Sequence, residues 1–405
     1  MPPRTVPEES AEETAPALLE EILEQIFLRF PPNKPAYLVR ASLTSKLWLA
    51  LLTGPRFRSL YREHHGEPQM LGFLNSIPWD PMEPEERGPA VPPFVSTTTG
   101  FRARVPDDGW GQRDYAAWDC RHGRVLLGEV NAEVSLSDDR RLAVWDPITG
   151  RRRELQEPEV VYGDGLYAAA VLCAFSGCHH LACHEGPFRV VHLSLHRVAR
   201  VDFVARACVS SPCSVSHGAL EWNDPCPGIS VGGHGYIAQR PPVLVNNALH
   251  FLLGHDGFDR VHYAEILKYD LSSNSLALID APEAGVDMPT ASVLMAIEDG
   301  NLGLAHLKKL TLFIWSRRMG SHGVAAWTQR RVINLQDHLP IQNPEERVRL
   351  LGSVEGSDVV FVSTDLGIYK VDLKSLQHKK ISNGEYLVSL IPYMSYAPRE
   401  KGELL

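Results

Sequence analysis

The sequence predicts a mainly β protein with a small all-α N-terminal domain, the β part being a propeller of about six blades. Three observations carry this. Residues 16–62 hold apolar positions at helical spacing, five blocks of four short strands recur between Tyr115 and Ser382, and three of those blocks share one turn design.

The helical block comes first. Leu18, Leu19, Ile22, Leu23, Ile26, Phe27 and Phe30 follow the i, i+3, i+4 spacing of a wide apolar stripe. Pro31, Pro32 and Pro35 end that helix, because proline lacks a backbone donor and pushes the residue before it away from the helical region. A second apolar run (Leu38, Ala41, Leu43, Leu47, Trp48, Leu51, Leu52) stops at Gly54-Pro55. A few short helices bury little surface alone, so the block is expected to lean on a partner.

The β blocks run from Tyr115 to Gln156, Ala168 to Trp222, Pro242 to Asp280, Ser292 to Leu335 and Val348 to Ser382. Gly, Asn, Asp and Pro punctuate the strands. In the runs Ala143–Gly150, Leu267–Asn274 and Tyr369–Leu376 an apolar strand ends at Asp146, Asp270 or Asp372. An aspartate there can accept from its own backbone two residues on and open the turn into the fourth strand. The repeat length is near the ~40–50 residues of a propeller blade. A C-terminal strand over 386–396 is expected to pair with a strand near Pro93 and close the ring, which removes free sheet edges. Two stacked β-sandwiches would leave the repeated Asp turn without a reason. The expected divisions are a disordered leader (1–15), the helical domain (16–62), a Pro-rich linker (63–93), the propeller (94–396) and a tail (397–405).

Two resemblances follow from these residues. The segment Leu18–Pro31, with Arg40-Ala41-Ser42-Leu43-Thr44-Ser45-Lys46-Leu47-Trp48 after it, resembles an F-box, the helical motif that binds the adaptor Skp1 in cullin-based ubiquitin ligases. It departs from that pattern at Leu19, where proline is usual, and at Ser45, where cysteine is common. The phrases DCRHGRVLL, LAVWDPITG, VLVNNALHFLL, ILKYDLSSNSLALI and IPYMS resemble the kelch-like, F-box-associated propellers of plant F-box proteins. Together they imply a non-catalytic receptor that docks on Skp1, and through it a cullin, while the propeller captures a target protein. The adaptor contact is expected on Leu18, Leu19, Ile22, Leu23, Ile26, Leu43 and Trp48, since exposed apolar stripes mark interaction sites and tryptophan is a favoured anchor.

Composition narrows the alternatives. The chain has 405 residues, 44% hydrophobic and 22% charged, with a formal net charge of −9, which argues against a nucleic-acid or anionic-membrane binder. No apolar run approaches the ~18 residues that span a bilayer. The acidic, Pro-rich N-terminus has no secretory pattern, and seven cysteines are an odd number. A reduced, cytoplasmic or nuclear protein is the expectation.

Several motifs read as decoys. Gly228-Ile229-Ser230-Val231-Gly232 spells the nucleophile elbow G-x-S-x-G, but no helical pattern follows it, so it is expected in an inter-blade loop. Cys173, Cys178 and Cys183 with His179, His180 and His184 lack the paired spacing of a structural zinc site, and no metal or cofactor is expected. Arg151–Arg153 and Arg317-Arg318 suit solvated faces, and Asp107-Asp108 and Asp138-Asp139 suit turns. A propeller hydrolase or oxidase, or a propeller scaffold that joins no ligase, is the alternative reading.

Overall fold

The structure is a computed structural model of the 405-residue chain. It describes residues 20–31, 36–65, 69–76, 94–98, 101–106, 115–129, 141–158, 167–174, 186–199, 202–213, 221–233, 236–238, 240–254, 265–282, 292–320, 324–343, 348–383, 387 and 389–395. The expected leader, the tail, both Asp-Asp pairs, Leu18, Leu19 and the cluster from Cys178 to His184 lie outside the described residues.

Four helices open the described chain: α1 (Glu20–Leu28), α2 (Ala36–Thr44), α3 (Lys46–Thr53) and α4 (Pro55–His65). Strands β1 (Gln69–Ser76) and β2 (Phe94–Ser96) follow. Blade 1 is β3 (Tyr115–Arg121), β4 (Arg124–Glu129), β5 (Arg141–Trp145) and β6 (Arg152–Gln156). Blade 2 is β7 (Tyr167–Cys173), β8 (Phe188–Arg197), β9 (Phe203–Val209) and β10 (Ile229–Gly232). Blade 3 is β11 (Tyr236–Ile237), β12 (Val243–Val245), β13 (Ala248–Gly254), β14 (Glu265–Asp270) and β15 (Ser275–Asp280). Blade 4 is β16 (Ser292–Ala296), β17 (Leu302–Lys308), β18 (Thr311–Met319) and β19 (Ala325–Asn334). Blade 5 is β20 (Arg349–Val354), β21 (Val359–Thr364), β22 (Gly367–Asp372) and β23 (His378–Ser382), and β24 (Ser389–Ser395) ends the β region.

Among the described residues the strands form six antiparallel sheets, one per blade, as the repeats predict. Burial grades outward across each blade. β13 is buried at every position because neighbouring blades cover both of its faces, whereas β19 and β23 are mostly exposed. This is why the second and third strands of the blades read as nearly continuous apolar runs instead of alternating ones.

The ring closes in a way the sequence only half suggests. The C-terminal strand β24 pairs with β1, from Gln69↔Ser395 to Ser76↔Ser389, and β2 pairs on the other side of β1. Residues 69–76, expected inside a linker, are therefore the middle strand of the sixth blade. Their core residues Leu71, Phe73 and Leu74 are buried, and this burial drives the pairing. Both ends of the β region share one sheet, so no ladder is left open between first and last blade. At Gly352 a side chain would lie 2.5 Å from the Leu390 carbonyl, so blades 5 and 6 meet where only glycine fits.

Two further corrections concern blade 2 and blade 3. The fourth strand of blade 2 is Ile229–Gly232, not the segment ending at Trp222, which makes a single bridge from Trp222 to Ser210. The G-x-S-x-G run thus lies in strand β10, not in a loop, with Ser230 paired to Val204. A hydrolase elbow needs a strand, a tight turn and a helix, and the residues through Gly232 continue as strand. In blade 3 the inner position is split between β11 and β12, both paired with β13. Pro241 and Pro242 cause the break, because neither can donate to a ladder.

The repeated turn forms as its sequence implies. Asp146 Oδ1 accepts from Ile148 N at 2.8 Å, Asp270 Oδ1 from Ser272 N at 3.0 Å, and Asp372 Oδ1 from Lys374 N at 2.9 Å and Ser375 N at 2.8 Å. Burial pushes the Asp372 carboxyl up, but the Ser375 N–H and hydroxyl and the Lys374 N–H outweigh it and hold it below its ordinary range. A lowered carboxyl stabilises the fold above its unfolded pKa, and that contribution is lost as pH falls. Asp372→Ala is expected to cost about 1–2 kcal/mol, and Asp372→Asn, which keeps the acceptor, less. Urea midpoints at an unchanged m-value check both.

Candidate functional site

The helical block builds a core of its own. Leu23, Phe27 and Leu28 of α1, Leu38 and Ala41 of α2, Leu51 and Leu52 of α3, and Phe57 and Tyr61 of α4 bury one another. The Trp48 ring meets Phe27 edge-on at 5.0 Å. The Tyr61 hydroxyl donates to Phe30 O at 2.6 Å, and the His65 ring lies 2.7 Å from Leu28 O, so α4 satisfies carbonyls at the end of α1 that have no helical partner. Arg56 pairs with the buried Glu24 at 3.4 Å. Pro55 suits the first position of α4, where its missing donor costs nothing.

Ser45, the departure from the cysteine usual in the F-box pattern, caps α3: its hydroxyl accepts from Trp48 N at 3.2 Å. A thiol is a weaker acceptor. Ser45→Ala is expected to destabilise the block by about 1 kcal/mol. A shift in the block's own thermal transition, monitored by Trp48 fluorescence, tests it.

With the core filled, several large apolar side chains still face outward. Ile22 and Ile26, one helical turn apart on α1, are 45% and 40% exposed, and Leu43 and Leu47 are 56% and 49% exposed. Of the expected contact residues, Ile22, Ile26 and Leu43 are thus at the surface and Trp48 is half-buried. Leu23 is 3% exposed, so it holds the block together instead of facing a partner. Leu47 was missed by sequence reasoning, although its spacing from Leu43 across the α2–α3 junction could have found it.

A second constellation lies at the centre of the ring. The first strands of successive blades meet there, β24 lying beside both β20 and β3 and β16 beside both β12 and β20. Arg121, from the end of β3, reaches across this space. Its guanidinium donates to Asp119, to the Pro242 carbonyl in blade 3, and to Glu355 Oε2 in blade 5 at 2.7 and 2.9 Å. Asp119 Oδ2 also accepts from Val171 N of blade 2 at 2.9 Å. One side chain therefore ties blades 1, 3 and 5, with blade 2 held through Asp119. Burial raises the Asp119 carboxyl to about 6, against the pull of Arg121 and the Val171 N–H, with Glu355 adding to the rise. A fully buried carboxylate makes that direction the expected one, because loss of water disfavours its charged form.

Local sequence places these groups. His122 and Gly123 have φ of 54° and 75°, and Asn246 and Asn247 have 49° and 58°, the positive angles of tight two-residue hairpins. Those turns set the ends of β3 and β12 beside the cavity at the centre. The cavity is about 600 Å³, with Asp119, Arg121, Arg240, Glu355 and Ser389 among its polar lining. Among the described residues no group of metal-ligating side chains is assembled.

Comparison with known proteins bears on the same blades. Residues 238–398, from just after β11 to beyond β24, match the family described as F-box protein AT5G49610-like, beta-propeller. These blades are similar to the propeller of that F-box protein family. The matched segment covers blade 3 from β12 onward, blades 4 and 5 and the closing strand, and so includes Pro242 and Glu355 of the central cluster. No curated protein matches the chain.

Solved structures are distant. An α-L-arabinofuranosidase (CtGH43) from Clostridium thermocellum ATCC 27405 is 11% identical with a TM-score of 0.30, over 54% of this chain and 73% of its own. The SREBP–SCAP binding domains of fission yeast are 11% identical at 0.28, over 78% and 68%. The α-L-arabinofuranosidase PaAbf62A from Podospora anserina is 10% identical at 0.27, over 79% and 76%. Likeness of this degree carries no functional argument.

Proposed function

We propose that this chain is the substrate-recognition subunit of a Skp1–cullin–F-box ubiquitin ligase. The observation that carries the reading is the helical block: it fills its own core and still leaves Ile22, Ile26, Leu43 and Leu47 facing outward, on a chain whose residues 238–398 match an F-box family propeller. Apolar surface of this kind is retained where a partner covers it. Skp1 is that partner in this reading, a cullin is recruited through it, and the propeller holds the target.

Such a receptor makes and breaks no bonds. It raises the effective concentration of target beside the ubiquitin-carrying enzyme, which multiplies the encounter rate without any new chemistry. The loops between blades carry the specificity, and the complex works in the cytoplasm, the nucleus or both. The test is co-expression of the full-length chain with Skp1 and a cullin. Stoichiometric co-purification of all three is the expected result. A chain that purifies as a folded monomer with neither partner bound would overturn the proposal.

A further inference from the structure

We propose that the central cavity of the propeller is a binding site for a small, mainly apolar molecule carrying one protonated amine. The site is distinct from the helical face and does not depend on the ligase reading. Its volume of about 600 Å³ lies within the ~300–1,000 Å³ range of small-molecule sites. It lies where the inner strands converge, and Pro241 and Pro242, at the break in the inner strand of blade 3, are part of its lining.

The wall is apolar, built from Val243, Leu252, Leu294, Leu351 and Ile391. Within it sits Ser389, a fully buried residue whose hydroxyl finds no hydrogen-bond partner among the described residues. A buried hydroxyl left without a partner costs free energy, and a polar group on an occupant would recover it. An apolar body with a few polar points is the occupant such a wall selects.

Charge decides the head group. Asp119, Glu355, Glu298 and Asp358 are the carboxylates in and around the rim, against Arg121, Arg240 and Lys374. Four carboxylates against three cations leave one negative charge in excess. Lys374 is engaged by Glu298 and Asp358, and Arg240 donates to the Leu350 carbonyl at 2.9 Å. Asp119 and Glu355 share the single guanidinium of Arg121, so that set carries one negative charge in excess, as the Lys374 set at the rim does. Glu355 is the accessible member, its side chain 39% exposed while that of Asp119 is 1% exposed. One ammonium placed against Glu355 balances the set and forms a charge-assisted hydrogen bond in a partly dry site.

The probes are three molecules with one body and different heads: 4-phenylbutylamine, 4-phenylbutan-1-ol and 4-phenylbutyrate. Each is titrated by calorimetry into the full-length chain at neutral pH, with melting temperature as a second readout. The amine is expected to bind with a submillimolar Kd and to raise the melting temperature. The alcohol and the carboxylate are expected to bind roughly ten-fold or more weakly. Glu355→Gln should lower amine affinity by about the same factor and leave alcohol binding unchanged. Ala296→Trp, which fills the cavity from β16, should abolish binding of all three. Absence of amine binding at millimolar concentration, or equal or tighter binding of the carboxylate, overturns the proposal. So does amine binding that Glu355→Gln leaves intact in a folded variant. Should either variant fail to melt cooperatively, the wild-type series of three probes decides alone.

Discussion

Ile26→Asp is expected to abolish capture of the Skp1 adaptor while every transition of the folded chain is retained. The side chain is 40% exposed on α1, one turn from Ile22, and takes no part in the buried cluster that holds the four helices together. A carboxylate at the centre of an apolar contact loses its hydration without gaining a partner, and the cost of such a change at an interface anchor is about 2 kcal/mol or more, roughly a thirty-fold loss of affinity. Leu23→Asp, only three residues away, should behave differently. Leu23 is packed among Phe27, Leu38 and Leu52, so a charge there dismantles the block itself. The pair separates contact from folding: Ile26→Asp should keep the helical circular dichroism and lose the adaptor, whereas Leu23→Asp should lose both. Undiminished adaptor binding by Ile26→Asp, measured by calorimetry with purified Skp1, would exclude this face as the docking surface. Leu43→Asp, from the other end of the block, gives an independent reading, because Leu43 also lies outside the core.

What the sequence discloses here follows the range of the interactions. The turn aspartates Asp146, Asp270 and Asp372 are legible because the acceptor and its donors lie two or three residues apart. Blades 1, 4 and 5 are legible because their four strands pair in the order in which they follow one another in the chain. Strand β1 is not: its eight residues stand next to a proline-rich stretch, β2 pairs with only three of them, and the full ladder comes from the return of β24 some 300 residues later. The end of blade 2 misleads for a related reason. Trp222 sits in a short apolar run that looks like an edge strand, yet β9 takes Ile229–Gly232 as its outer neighbour and leaves Trp222 to donate its indole N–H to Gln156 O of blade 1. The helical stripe is legible as a stripe, but not which of its members face inward; Leu23 and Ile22 are neighbours in the chain, yet one is buried and the other exposed. Least legible is the central cluster, since Arg121 and Glu355 are 234 positions apart and meet only once the ring has closed.

That cluster makes the second large prediction. Arg121→Met should destabilise the propeller by about 3–5 kcal/mol, the range found when one partner of a buried ion pair is removed. The loss has three parts: Asp119 keeps its buried charge without a counter-ion, the Pro242 carbonyl loses a donor, and Glu355 is released from blade 1. Adding Asp119→Asn to Arg121→Met should restore part of the stability, because it removes the stranded charge; a cluster that acts through packing alone would show no such recovery. The pH dependence gives a second, independent reading. Burial raises the Asp119 carboxyl to about 6, above an ordinary aspartate value of 3.8. Between those two values the folded state binds more protons than the unfolded one, so stability from this group falls as pH rises. Its contribution is full below the unfolded pKa and is lost as pH passes through about 6. The difference in melting temperature between the wild type and Asp119→Asn should therefore shrink from about pH 4 to about pH 7. The turn aspartates Asp270 and Asp372 titrate in the opposite sense, but both proteins contain them and they cancel in the difference. A difference that stays constant or widens across that window would mean that Arg121 compensates Asp119 fully. The two carboxylates would then not be competing for one guanidinium.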